Sequence, residues 1–256
     1  MKIAIESCYL VDFSLNFRYN AVPQMLEQLR RELKKLSNKK RAEELSRFFK
    51  TGEGEYGFGD IFLGLTVPQS RDLAIKYKDM PFEELYKLLR SPIHEERLIS
   101  LLILVHNFQA EEMLQRRIYE FYLKNIKFVN NWDLVDLSAD KIVGVYLMDK
   151  PKDVIYKLSK SSNLWERRIA MVATYNFIKN SMFDDALSIA EILVEDGNDL
   201  IQKAVGWMLR EVGKRNLEVE VKFLDKHYKS MGRTALRYSI EKFPEKSRKS
   251  YMLGTA

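Results

Sequence analysis

The sequence predicts an all-α protein, a curved α-solenoid whose repeats line a basic concave groove, and three observations carry that expectation. Glycine and proline are scarce, 11 and 6 in 256 residues, and they stand between segments rather than inside them. Within the segments, apolar residues recur at intervals of three and four, the helical period, while strand-like alternation is almost absent. Finally, a cation followed at once by an apolar helical run recurs in HEERLISLLIL, LWERRIAMVATY and LIQKAVGWMLRE.

In chain order, residues 1–20 read as an N-terminal appendage. Glu6 and Asp12 interrupt the apolar stretch that a signal peptide needs. Residues 21–245 read as a single repeat domain and 246–256 as a C-terminal tail. The stretch 51–64, TGEGEYGFGDIFLG, holds five of the 11 glycines and predicts a loop or small hairpin ahead of a helix beginning near Pro68. It lacks the Gly-Lys-Ser/Thr of a phosphate loop. In PFEELYKLLRS, Pro81 suits a first helical turn, Glu83 and Glu84 favour its positive end, and Ser91-Pro92 stops it. Helical units follow at 95–107, 111–126, 132–148, 153–160, 164–179, 183–195, 199–214 and 217–229.

The cations that open the three similar runs are Arg97, Arg168 and Lys203, 71 and then 35 residues apart. A unit around Trp132 fills the longer gap, giving one helical pair per roughly 35 residues, the period of an α-solenoid. Each pair buries its apolar stripes against its neighbours, the second helices line one surface, and a repeated cation makes that surface basic.

Charge agrees with an anionic partner: 42 Lys and Arg oppose 36 Asp and Glu, a net of +6. The one cysteine, Cys8, excludes an intramolecular disulfide and a cysteine zinc cage, and fits a reducing, cytoplasmic setting. The longest apolar run, LISLLILV, is too short to span a bilayer. His94, His106 and His227 share no ligand spacing, and no Gly-x-Ser-x-Gly occurs, so neither a metal, a cofactor nor a nucleophilic hydrolase is expected.

The segment NNWDLVDLSADK places Trp132 and Asp136 four residues apart, side by side on one helical face, with Asp140 a turn further on. Two readings are open. In the structural one, Trp132 is core, Asp133 offsets the helix dipole, and Asp136 pairs with a neighbouring arginine. In the functional one, an acid on a cationic groove repels a nucleic-acid backbone and is there for chemistry.

NNWDLVD, LWERR and LIQKAVGWMLRE, with SRFFKTG and FLGLTVPQSR upstream, resemble the bacterial AlkD family of DNA alkylation repair glycosylases, built from HEAT-like repeats, over about residues 41–243. The resemblance implies catalytic roles for Trp132, Asp136 and Arg168, a second groove tryptophan at Trp207 and a DNA-contacting arginine at Arg210. Arg97 and Lys203 are expected to join them as backbone contacts. Where the family has a tyrosine beside the lesion, SRFFKTG offers Phe48, which keeps a stacking face and loses the hydroxyl, and Tyr56 from the longer glycine-rich insert is the alternative.

The implied reaction is hydrolysis of the N-glycosidic bond of cationic N7-alkylguanine or N3-alkyladenine in double-stranded DNA, by a monomer without metal, cofactor or base-binding pocket. Alkylation makes the base a ready leaving group, so no general acid is needed. Asp136 would stabilise the oxocarbenium ion and orient water, Trp132 would present its π face to the sugar, and Arg168 would hold a phosphate or fix the carboxylate. The rival readings are a non-catalytic HEAT-like protein that binds distorted or branched DNA, and a protein-binding helical repeat.

Overall fold

The computed structural model describes residues 25–256, so the expected appendage at 1–20, with Glu6, Cys8 and Asp12, lies outside the described residues. Fourteen α-helices and no strands are present among the described residues, with one isolated bridge, Ile61 to Ile93. The chain opens with α1 (Met25–Leu36), α2 (Lys39–Phe48), α3 (Val67–Lys76), α4 (Phe82–Leu89) and α5 (His94–Ala110). It continues through α6 (Glu112–Lys124), α7 (Trp132–Ala139), α8 (Asp153–Ser159), α9 (Leu164–Lys179) and α10 (Asp184–Leu193). The series ends with α11 (Asp199–Gly213), α12 (Leu217–His227), α13 (Arg233–Ser239) and α14 (Glu245–Leu253).

The stack follows a simple rule. Helices α5, α7, α9, α11 and α13 pack on one another in that order, and α4, α6, α8, α10 and α12 pack against them. Leu101, Ile103, Ile142, Ile169, Ala173, Ile201 and Val205 are among the buried residues of one continuous core. Among the described residues, no helix is long and apolar enough to cross a membrane.

Three consecutive inner helices start in the same way. Asn131, Asn163 and Asn198 sit in extended backbone and accept from the first free amides of α7, α9 and α11: Trp132 N at 2.8 Å, Trp165 N at 2.8 Å and Leu200 N at 2.9 Å. These caps set the register of everything the helices present. Asp136, Arg168 and Lys203 each stand five residues past their cap.

After α7 the helix widens into a single π-turn, Asp140–Gly144, where it meets α9. A side chain at Gly144 would lie 2.3 Å from the Ala173 carbonyl oxygen, so only glycine allows the two backbones this close. Asp140 turns inward here, its carboxylate 3.2 Å from Lys179 Nζ. It therefore leaves the face shared by Trp132 and Asp136.

The glycine-rich stretch is a loop of turns, as expected. Gly64 takes a left-handed φ of +88° against the Asn38 carbonyl, and the buried Glu95 carboxylate accepts the amides of Leu63, Gly64 and Leu65 at 2.8–3.2 Å. Thr66 and Gln69 then form a reciprocal cap that starts α3. The expected tail at 246–256 is different. Most of it is α14, whose Tyr251 ring is buried and whose hydroxyl donates to Asp225 Oδ1 at 2.7 Å.

Candidate functional site

A cleft of about 590 Å³ is built by α7, α9, α11 and α13 and by the end of α2 with the loop after it. Trp132 and Asp136 come from α7, Arg168 from α9, and Lys203, Trp207 and Arg210 from α11. Phe48, Lys50 and Tyr56, from the end of α2 and the loop after it, and Tyr238 of α13 also line the cleft.

At the centre, Arg168 binds Asp136 with two parallel bonds, Nε to Oδ1 at 3.0 Å and Nη2 to Oδ2 at 2.8 Å. Its remaining arm donates to the Leu200 carbonyl. Arg168 is 5% exposed, so its donors are spent inside the protein. Burial raises the Asp136 carboxyl above the ordinary aspartate value although Arg168 pulls it down, and Asp133 and Asp140 add to the rise.

Trp132 is clamped by rings. It stacks on Phe49 at 5.1 Å between centroids, and Phe48 meets it edge-on at 5.9 Å. Tyr56 lines the same cleft, its hydroxyl held by burial above the usual tyrosine range. Phe48 is 64% exposed and keeps an open face, so both candidates for the aromatic neighbour of Trp132, Phe48 and Tyr56, lie in the cleft.

On the α11 wall, Lys203 Nζ bonds Asp199 at 2.7 Å, Arg210 pairs with Glu241, and Trp207 leans on Tyr175 at 5.7 Å.

The chain belongs to the DNA alkylation repair enzyme family.

The family's model matches residues 29–243, nearly the whole described chain. A solved structure described as a predicted DNA alkylation repair enzyme from Enterococcus faecalis is similar at a TM-score of 0.63 and 17% identity, covering 82% of this chain and 97% of its own. That likeness shows a shared fold. No curated protein matches the sequence.

Of the eight site residues expected in this alkylation repair family member, the cleft gathers seven: Phe48, Trp132, Asp136, Arg168, Lys203, Trp207 and Arg210. Arg97 is the exception and corrects the expectation. It is 4% exposed, with Nη2 at 2.6 Å from Asp60 and Nη1 donating to the Ser91 carbonyl. The reason is register: Arg97 stands four residues past its cap, Ile93, whereas Arg168 and Lys203 stand five past theirs. One residue is about 100° around a helix, which takes Arg97 off the face that lines the cleft.

Sequence reasoning missed the layer beneath Trp132. His94 is buried between Asp60 and Asp133, and its ring stacks on Phe62 at 4.5 Å. Asp133 is thus a partner of His94 and of the Leu134 amide as well as a first-turn acid. The signal that was available is the set of capping asparagines, spaced 32 and 35 residues apart, which sets the register of the site.

Proposed function

We propose that this DNA alkylation repair family member is a monofunctional glycosylase that hydrolyses the N-glycosidic bond of cationic N7-alkylguanine and N3-alkyladenine in double-stranded DNA. One observation carries the reading: a carboxylate, Asp136, is held in a fixed plane by Arg168 beside the accessible indole of Trp132, in a cleft edged by Lys50, Lys203 and Arg210.

The chemistry asks little more. A purine that already carries positive charge leaves as a neutral base, and the charge moves to the deoxyribose. Asp136 faces that developing cation and orients a water toward the anomeric carbon, while the π face of Trp132 offers it a second electron-rich surface. Such a preorganised group is worth roughly 3–4 kcal/mol in a water-poor site. Arg168 acts through the carboxylate: both of its parallel donors lie on Asp136, so it fixes orientation rather than holding phosphate. Lys50, Lys203 and Arg210 supply attraction for the DNA backbone, and Trp207 and Phe48 supply apolar faces.

The experiment is incubation of the protein with a duplex carrying one N7-methylguanine, with released base detected by mass. Base release that depends on Asp136 supports the glycosylase. Tight, salt-sensitive binding without release assigns the cleft to recognition of distorted or branched DNA instead.

A further inference from the structure

We propose that His94, which lies outside the cleft, is a positioning residue that holds Trp132 in place as an imidazolium locked between two carboxylates. The catalytic consequence rests on the glycosylase reading above, while the structural lock stands apart from it.

The argument begins with donors and acceptors. His94 Nδ1 lies 3.1 Å from Asp60 Oδ2 and Nε2 lies 2.8 Å from Asp133 Oδ2. Ionised carboxylates only accept, so both ring nitrogens must donate, and only the charged imidazolium does that. The surroundings agree: although burial opposes the charge, the two carboxylates hold His94 up to about 9. The charged groups facing it are Asp60 from the loop, Asp133 from α7 and Arg97 from its own helix. Two positive and two negative charges balance in a buried cluster.

That cluster brackets one residue. Asn131, the cap of α7, donates to Asp60 Oδ2 at 3.3 Å, and Asp133 receives His94, so the residues on both sides of Trp132 are tied to the same network. A ring relay makes a second connection. Phe49 lies 5.1 Å from the His94 ring and stacks on Trp132 at 5.1 Å. When His94 loses its proton, one carboxylate loses its donor. Asp60 keeps Arg97 and Asn131, so the remaining ring proton stays on Nε2 toward Asp133, the arm to Asp60 lets go, and Asp60's grip on Asn131, the cap of α7, relaxes beside Trp132.

The test uses the full chain labelled with 5-fluorotryptophan, the Trp132 resonance being assigned by its loss in Trp132→Phe. Between pH 6.5 and 10 the wild-type resonance moves with a midpoint near 9. In Asp133→Asn, which keeps the shape of the turn, the midpoint falls by at least about one unit, because one of the two stabilising charges is gone. In His94→Gln the resonance is displaced at all pH values and does not titrate, and excision slows about tenfold with DNA affinity unchanged. A wild-type Trp132 resonance that stays flat, or one that titrates alike in His94→Gln, overturns the proposal. If the resonance titrates as expected in a protein that releases no base, the lock stands and the glycosylase reading falls.

Discussion

Asp136 and Arg168 occupy the same position in successive repeats, each five residues beyond the asparagine that caps its helix, and they meet through two parallel hydrogen bonds of 3.0 and 2.8 Å. Lys203 holds that position in the next repeat. The acid is thus the odd member of an otherwise cationic row. Its neighbour in the row is the residue that orients it.

Asp136→Asn keeps the shape of the pair and one acceptor for Arg168 while removing the charge. Single-turnover excision of N7-methylguanine should fall at least about a hundredfold, the rate equivalent of roughly 3 kcal/mol. DNA affinity should hold or rise, since a repulsive carboxylate has gone. Melting curves on the same preparation separate this from partial unfolding, in which binding and excision fall together. Near-normal excision by a folded Asn variant would place the catalytic carboxylate elsewhere.

The pH profile follows from the same pair. In the proposed reaction Asp136 works ionised, and burial raises its carboxyl, so excision should be lost as pH falls through a value above the ordinary ~3.9 of aspartate. Arg168→Gln removes the charge that pulls it down and should shift the acid limb further upward. An acid limb that stays put in Arg168→Gln would show that Asp136 does not set it.

Lys203→Ala should weaken binding to damaged and undamaged duplex alike and reduce the slope of log affinity against log salt by about one. Its removal also frees Asp199, now bonded to it at 2.7 Å, which adds repulsion in the cleft. An unchanged slope in a salt titration argues against the contact.

Arg97→Met tests the corrected assignment. Its partner Asp60 is buried, so truncation leaves a carboxylate short of one cation and should cost about 3 kcal/mol of stability, read as a lower melting temperature. The salt slope of DNA binding should not change. Were the slope to shrink without loss of stability, Arg97 would belong to the DNA surface after all.

His94 gives the alkaline side. Its folded value of about 9 lies above the ~6.5 of an unfolded chain, so its stabilisation is complete below pH 6.5 and is lost as pH rises through about 9. The difference amounts to about 3 kcal/mol. Urea unfolding at pH 7 and pH 10 should show that loss in the wild type and far less in His94→Gln.

How much of this was legible in the sequence depends on distance along the chain. The helices were, because the spacing of residues such as Leu85, Leu88 and Leu89 is a local signal. Trp132 and Asp136 were legible as one face of one helix, and the family motifs placed Arg168, Trp207 and Arg210 beside them. Arg97 was misread because similar motifs were aligned by their cations rather than by their caps, and a slip of one residue moves a side chain off the face that lines the cleft. The lock at His94 joins residues 34 and 39 positions apart, through carboxylates that any sequence of this charge content supplies in plenty. Helix α14 was read as a tail because polar and charged residues fill KSRKSYML, leaving Tyr251 as its buried anchor.

The common register of α7, α9 and α11 makes the position of the reactive group a matter of address. Neighbouring packed helices lie about 9 Å apart, and base pairs rise about 3.4 Å, so one repeat corresponds to between two and three base-pair steps of a duplex laid along the stack. Exchanging the residues at 136 and 168 would keep the ion pair and its total charge, yet carry the carboxylate one repeat along. The swap would leave Trp132 behind on α7, since the residue four positions before 168 is Leu164, so in the proposed reaction the carboxylate and the indole share one address and move only together.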